Sequence, residues 1–209
     1  MTSTADRTAE HPDPMDEILD SRLVGIIRTA TPEQAFQDGL RLMELGVTCV
    51  EVSLVTPDAT DVIRQLDARR APGVVLGAGT VLTPGQVRDV RDAGATYALS
   101  PVLDLEVVAA AGEAGLRFIP GCATPSEMHT AMRAGAAAVK LFPASQWAPS
   151  VLTDVLTAQP DLPVIPAGGV GLDTAPHWYT AGAVAVGVGS ALIQPGVTAA
   201  GIRGLRRPA

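Results

Sequence analysis

"RAGAAAVKL", residues 133–141, is the end of a helix, a glycine, and then an apolar strand. The same form recurs in "ELGVTCVEV" (44–52), "DAGATYALS" (92–100), "EAGLRFIPG" (113–121) and "TAGAVAVGV" (180–188). The turning residues are Gly46, Gly94, Gly115, Gly135 and Gly182, spaced by 48, 21, 20 and 47, so each long gap holds two units. Glycine just past a helix accepts the left-handed backbone that ends it. A strand plus a helix every 20–25 residues is a βα unit, and such units build a parallel sheet. The missing strands are "RLVGIIRT" (22–29), "GVVLGAGT" (73–80) and "LPVIPAGG" (162–169).

Eight strands follow, near 23–28, 48–54, 74–80, 96–100, 117–121, 137–142, 163–167 and 183–188. Helix starts are written as Thr-Pro-Glu (31–33), Thr-Pro-Asp (56–58), Thr-Pro-Gly-Gln (83–86) and Thr-Pro-Ser-Glu (124–127). Threonine caps the free N–H groups and proline suits the first helical position. Eight such units in about 200 residues predict a compact (β/α)8 TIM barrel, a single domain over 15–209 behind a flexible segment 1–14. An open doubly wound sheet is the competing architecture, but no GxGxxG joins the first strand to its helix.

The composition agrees with a globular chain: 209 residues, 47% hydrophobic and 18% charged. A net charge of −7 argues against a nucleic-acid partner, which needs clustered Lys and Arg. No apolar run approaches the roughly 20 residues that cross a membrane, and the polar start "MTSTADRTAEHPDP" has no signal-peptide core. Cys49 and Cys122 sit in apolar strand-like stretches, so we expect core thiols in a reducing cytoplasm. His11, His129 and His177 show no ligand-like spacing and there is no CxxC. No metal or other cofactor is expected. His129 and His177 are expected on solvated helix faces, and Trp147 and Trp178 in packing.

Alternation along the strands locates the chemistry. On the second strand Val50, Val52 and Leu54 should face the helices, which turns Cys49, Glu51 and Ser53 into the barrel. On the sixth, Val139 and Leu141 face out, and Ala138, Lys140 and Phe142 face in. A lysine and a glutamate thus share the mouth where barrel enzymes keep their active sites. Burial favours the neutral amine, which attacks carbonyls to form Schiff bases, and a nearby carboxylate shuttles the protons. A self-satisfied ion pair is the bland reading, but such pairs add little stability. "IPAGGVG" (165–171) and "VGVGSAL" (186–192) end adjacent strands and form a glycine-rich phosphate cradle, with Ser190 adding a hydroxyl and capping the final helix.

Glu51 in "VEVSL", "GAGTVL" (77–82), "SP" (100–101), "PGCAT" (120–124), "VKLFPAS" (139–145), "AGGV" (167–170) and "GVGSAL" (187–192) together resemble the class I aldolases that cleave 2-keto-3-deoxy-6-phosphogluconate or its galactonate counterpart. The likeness runs from about residue 20 to 195. It implies that Lys140 forms the Schiff base with pyruvate or its aldol and that Glu51 is the general acid and base. It further implies Thr80, Pro101 and Phe142 around the pyruvate moiety, with Gly168, Gly169, Gly189 and Ser190 on the phosphate. It implies a homotrimer with no metal, acting on pyruvate and a phosphorylated aldehyde. One position departs from the pattern. Phosphogluconate enzymes carry an arginine four residues after the glutamate, where this chain has Val55. The phosphogalactonate branch instead has an arginine at the end of strand one, as here in Arg28, whose guanidinium suits a carboxylate. Ala167 matches neither branch. Unphosphorylated 2-oxo acids such as 4-hydroxy-2-oxoglutarate, a phosphosugar isomerase or synthase without a Schiff base, and a non-catalytic phosphometabolite-binding barrel are the other readings.

Overall fold

The computed structural model describes residues 13–205. Nine strands line up in parallel: β1 (Leu23–Ile27), β2 (Cys49–Ser53), β3 (Val75–Gly79), β4 (Tyr97–Leu99), β5 (Arg117–Ile119), β6 (Gly121–Cys122), β7 (Val139–Leu141), β8 (Val164–Pro166) and β9 (Val186–Val188). β5 and β6 are the two parts of the single strand expected at 117–121. Pro120, which has no N–H to give the ladder, separates them.

The strands run in the orders β5-β4-β3-β2-β1-β9 and β6-β7-β8. One seam between these sheets is closed by Ala137 N–H and Lys140 N–H donating to the carbonyls of Phe118 and Pro120, each at 2.9 Å. The other is closed by the Ala167–Gly187 bridge and by Val184 N–H donating to Val164 at 3.1 Å. The sheet curls into the expected barrel. Outside it lie α2 (Pro32–Glu44), α3 (Ala59–Asp67), α4 (Pro84–Asp92), α5 (Leu105–Glu113), α6 (Pro125–Arg133), α7 (Pro149–Ala158), α8 (Ala175–Thr180) and α9 (Ala199–Arg203). None of the described helices is long and apolar enough to cross a membrane.

The five turning glycines all have positive φ, between 68° and 104°, as the left-handed helix end requires. Alternation then sorts the side chains into two apolar layers. Val50, Val52, Val139 and Leu141 join the helix-facing layer, with Leu54 packed against it. Cys49 and Ala138 join a separate cluster inside the barrel with Val24, Val75, Tyr97 and Ile119. Trp178 is buried in the outer layer and Trp147 packs against it. His129 and His177 are exposed.

Three expectations need correction. Residues 1–12 of the expected flexible segment, His11 among them, lie outside the described residues. Asp13 and Pro14, however, open a helix that the reading did not anticipate, α1 (Pro14–Ser21). Asp13 accepts from Met15 N–H at 3.0 Å and pairs with Arg117, and Ile18 of α1, wholly buried, plugs the interior cluster. The signal was weak because α1 is short and stands ahead of the repeat.

The second correction concerns the caps. Thr31, Thr83 and Thr124 cap α2, α4 and α6, each accepting from the third following N–H at 3.2 Å. Thr56 caps nothing. Its N–H donates to Ser53 at 2.9 Å in a turn, so α3 starts only at Ala59. The buried Thr56 hydroxyl instead accepts from Thr29 N–H at 3.2 Å, tying the β1–α2 loop to the β2–α3 loop.

The third is Ser190. It opens a single 3-10 turn, Ser190–Leu192, and α9 is capped by Thr198, which accepts from Gly201 N–H at 3.2 Å.

Candidate active site

Glu51 and Lys140 both point into the barrel from its C-terminal half, and they are 1% and 4% exposed. The register explains the placement. Glu51 is two residues beyond the interior Cys49 on β2, and Lys140 two beyond the interior Ala138 on β7. Glu51 needs room, and β3 supplies it. A Cβ on Gly79 would stand 1.6 Å from Glu51 Oε1, so the carboxyl lies directly over a residue with no side chain. Lys140 Nζ sits 5.1 Å from the centroid of the Phe142 ring, within the range of a cation–π contact.

The two charges feel each other without closing into a salt bridge. The ion pairs within 4.0 Å among the described residues are Arg64–Asp61, Arg70–Asp67 and Arg117–Asp13. Burial pushes the Glu51 carboxyl above its ordinary range, while Lys140 and Arg28 pull it back down. Glu51 Oε2 is buried and makes no hydrogen bond. An acceptor in that state is ready for a donor that arrives with a substrate.

Beside this pair opens a cavity of about 300 Å³, the size of a small-molecule site. Lys140, Arg28, Phe142, Gly168, Gly169, Gly189 and Ser190 all line it. Ala167 lines it too, and Gly187, on which a Cβ would come 2.8 Å from that of Ala167. Gly168 and Gly169 have φ of 85° and 90°; side chains there would also press on Phe142 and Ser145. The glycine-rich ends of β8 and β9 therefore bring bare backbone to one wall, with Arg28 and Lys140 in reach of the same space.

Thr80 and Pro101 fall elsewhere, outside the lining of that cavity. Thr80 has φ of 62° and its hydroxyl shares a 3.0 Å hydrogen bond with Ser53 Oγ. The Pro101 backbone packs so closely on Gly121 that a Cβ there would meet it at 2.3 Å. Since Gly121 is the register partner of Lys140, Pro101 backs the strand next to the lysine. Val55, where an arginine stands in the phosphogluconate pattern, is 61% exposed at the rim.

One ionisable lining residue escaped the sequence reading. Asp38 of α2 is 6% exposed, lines the cavity, and accepts from Gln34 Nε2 at 2.7 Å through Oδ1, leaving Oδ2 unpaired. In the sequence it looks like any polar residue of an amphipathic helix; only its burial betrays it. Among the described residues no three His, Cys, Asp or Glu side chains gather as a metal site. Burial, helped by Glu127, pushes the Cys122 thiol up to about 12, which leaves it a protonated core residue.

Known proteins agree with this picture. The family described as "Aldolase: KDPG and KHG aldolase" matches residues 15–202. A probable 2-dehydro-3-deoxy-6-phosphogalactonate aldolase of Rhizobium meliloti is 34% identical over 88% of each chain. The 2-dehydro-3-deoxy-6-phosphogalactonate aldolase of Escherichia coli K12 is 33% identical over 83% of this chain and 85% of its own. Among solved structures, a KDPG aldolase of Legionella pneumophila, with pyruvate captured as a covalent carbinolamine, superposes with a TM-score of 0.77 at 28% identity, covering 92% of this chain and 95% of that one. The chain belongs to the KDPG and KHG aldolase family.

Proposed function

We propose that this protein is a class I aldolase that cleaves a 2-keto-3-deoxy-6-phospho sugar acid of the galactonate or gluconate type to pyruvate and glyceraldehyde 3-phosphate. One observation carries the reading: a lysine and a glutamate, both nearly covered, face each other's field at the mouth of a closed barrel beside a glycine-walled cavity.

The Lys140 amine adds to the C2 ketone, and the carbinolamine loses water to give a protonated imine. That imine draws the electrons of the C3–C4 bond as Glu51 takes the proton of the C4 hydroxyl, and the aldehyde departs. Glu51 then returns a proton to C3 of the enamine, and water hydrolyses the pyruvate imine. Arg28 grips the C1 carboxylate. The bare amides of Gly168, Gly169 and Gly189, with the Ser190 hydroxyl, hold the distal phosphate. Phe142 packs beside the lysine, while Thr80 and Pro101 shape the pyruvate side. Borohydride with pyruvate, then peptide mapping, tests the first step. A reduced adduct on Lys140 is expected; its absence sinks the Schiff base.

Asp38 supports a second reading. A carboxylate in the cavity accepts from a hydroxyl and repels a phosphate dianion, which suits unphosphorylated 2-keto-3-deoxy acids. Pyruvate release from both epimeric 6-phosphates, their unphosphorylated forms and 4-hydroxy-2-oxoglutarate decides between the two. A homotrimer is part of the proposal. Val55, Leu82 and Val102 are exposed apolar residues on three successive β–α loops and Leu105 opens α5, a set suited to contact with a second copy. Buried thiols suit a cytoplasmic setting.

A further inference from the structure

Glu51, Gly77 and Tyr97 are register partners on three neighbouring strands, β2, β3 and β4. All three therefore face the barrel interior. The Tyr97 ring fills the hollow left by Gly77: a Cβ there would lie 2.3 Å from Cε2 and 2.4 Å from Cζ. Neighbouring strands are about 4.8 Å apart. A ring lying across Gly77 thus carries its hydroxyl away from β4 and towards β2, the strand that bears Cys49 and Glu51. Tyr97 is fully buried and its hydroxyl has no hydrogen-bond partner; Glu51 Oε2 is in the same condition. A buried donor and a buried acceptor, both unmatched and leaning on the same strand, are complementary.

We infer that Tyr97 is a positioning residue for the aldol reaction, its hydroxyl donating to the Glu51 carboxylate, directly or through one water, and fixing where that carboxylate stands. The inference rests on the reading above that Glu51 moves the protons. The titratable groups around Glu51 are Lys140 from β7, Arg28 from the end of β1 and Tyr97 from β4, with Cys49 two residues earlier on its own strand; β3 turns in Val75, Gly77 and Gly79, none of which titrates. Burial, with Cys49 and Glu51 nearby, holds the phenol well above 10, so Tyr97 stays a donor across the working range. A donor on the ionised carboxyl opposes the effect of burial and keeps Glu51 available as a base.

Tyr97→Phe keeps the ring and removes only the hydroxyl. The readout is the pH profile of deuterium exchange into the pyruvate methyl group, which needs the Lys140 imine and a base but no aldol. Exchange in Tyr97→Phe should fall about tenfold on the acid limb, the equivalent of a one-unit rise in the carboxyl's pKa, and far less on the plateau. Borohydride trapping should be unaltered. A profile that superimposes on wild type, or a loss equal at every pH, overturns the role of Tyr97 while leaving Glu51 in place. Exchange that survives in Glu51→Gln removes Glu51 as the base, and the role of Tyr97 with it.

Discussion

The two ends of the barrel are built from the same strands in opposite ways. At the floor, the first inward residue of each early strand carries a buried apolar side chain: Val24, Cys49 and Val75, with Ile18 of α1 packed against them. At the mouth, β3 continues with Gly79, which clears room for the Glu51 carboxyl, and β9 brings Gly187 and then Gly189 to the wall of the cavity beside Lys140. The floor shows what a barrel does when packing alone decides. The mouth shows the same scaffold emptied of side chains so that two ionisable groups fit. Tyr97 stands where the two regimes meet, its ring in the apolar cluster and its strand position in register with Glu51 across Gly77.

If the division is real, substitutions should separate cleanly into those that cost activity and those that cost stability. Glu51→Gln should lower kcat by about 10²–10⁴ and yet stabilise the fold once pH climbs past the ordinary carboxylate range. Because burial raises the Glu51 carboxyl, its stabilising contribution is complete below its ordinary 4.5 and is lost as pH rises through the raised value. Glutamine has no such loss, so the variant's gain in Tm over wild type should grow with pH; a constant difference would break the comparison. Ile18→Ala should do the opposite, costing about 2–5 kcal/mol in denaturant unfolding with kcat intact in what remains folded. Gly79→Ala adds one methyl group at the mouth, against the Glu51 carboxyl. It should reduce kcat/KM by about 10² while KM for pyruvate exchange changes little, since Lys140 and Arg28 are untouched. Asp38→Asn removes an anion from the cavity and should lower KM for a phosphorylated substrate by about fivefold, or roughly 1 kcal/mol. Equal effects on phosphorylated and unphosphorylated substrates would take Asp38 out of the recognition of the distal end.

The floor and the mouth were not equally legible in the sequence. Period-two alternation placed Val50, Val52, Val139 and Leu141 outward and Glu51 and Lys140 inward, because a strand offers only two faces. The helix-ending glycines were readable for the same reason: the backbone they permit is local. What depended on distant neighbours was not. "GAGTVL" was recognisable as a phrase, but the clearance that Gly77 gives Tyr97 and Gly79 gives Glu51 exists only once three strands are side by side. Asp38 sat in an ordinary polar helix pattern until α2 packed its side chain against the cavity. Thr56 carried every local mark of a cap, and a cross-loop bond to Thr29 took its hydroxyl instead.

That last bond reaches beyond helix starts. It staples the segment holding Arg28 to the segment holding Val55, the two positions that the resemblance marks as alternative places for an arginine. With adjacent roots anchored together, a long guanidinium side chain planted on either one delivers its head to common ground. A charge moved from one root to the other would hang over the same space, although the two positions stand 27 residues apart along the chain.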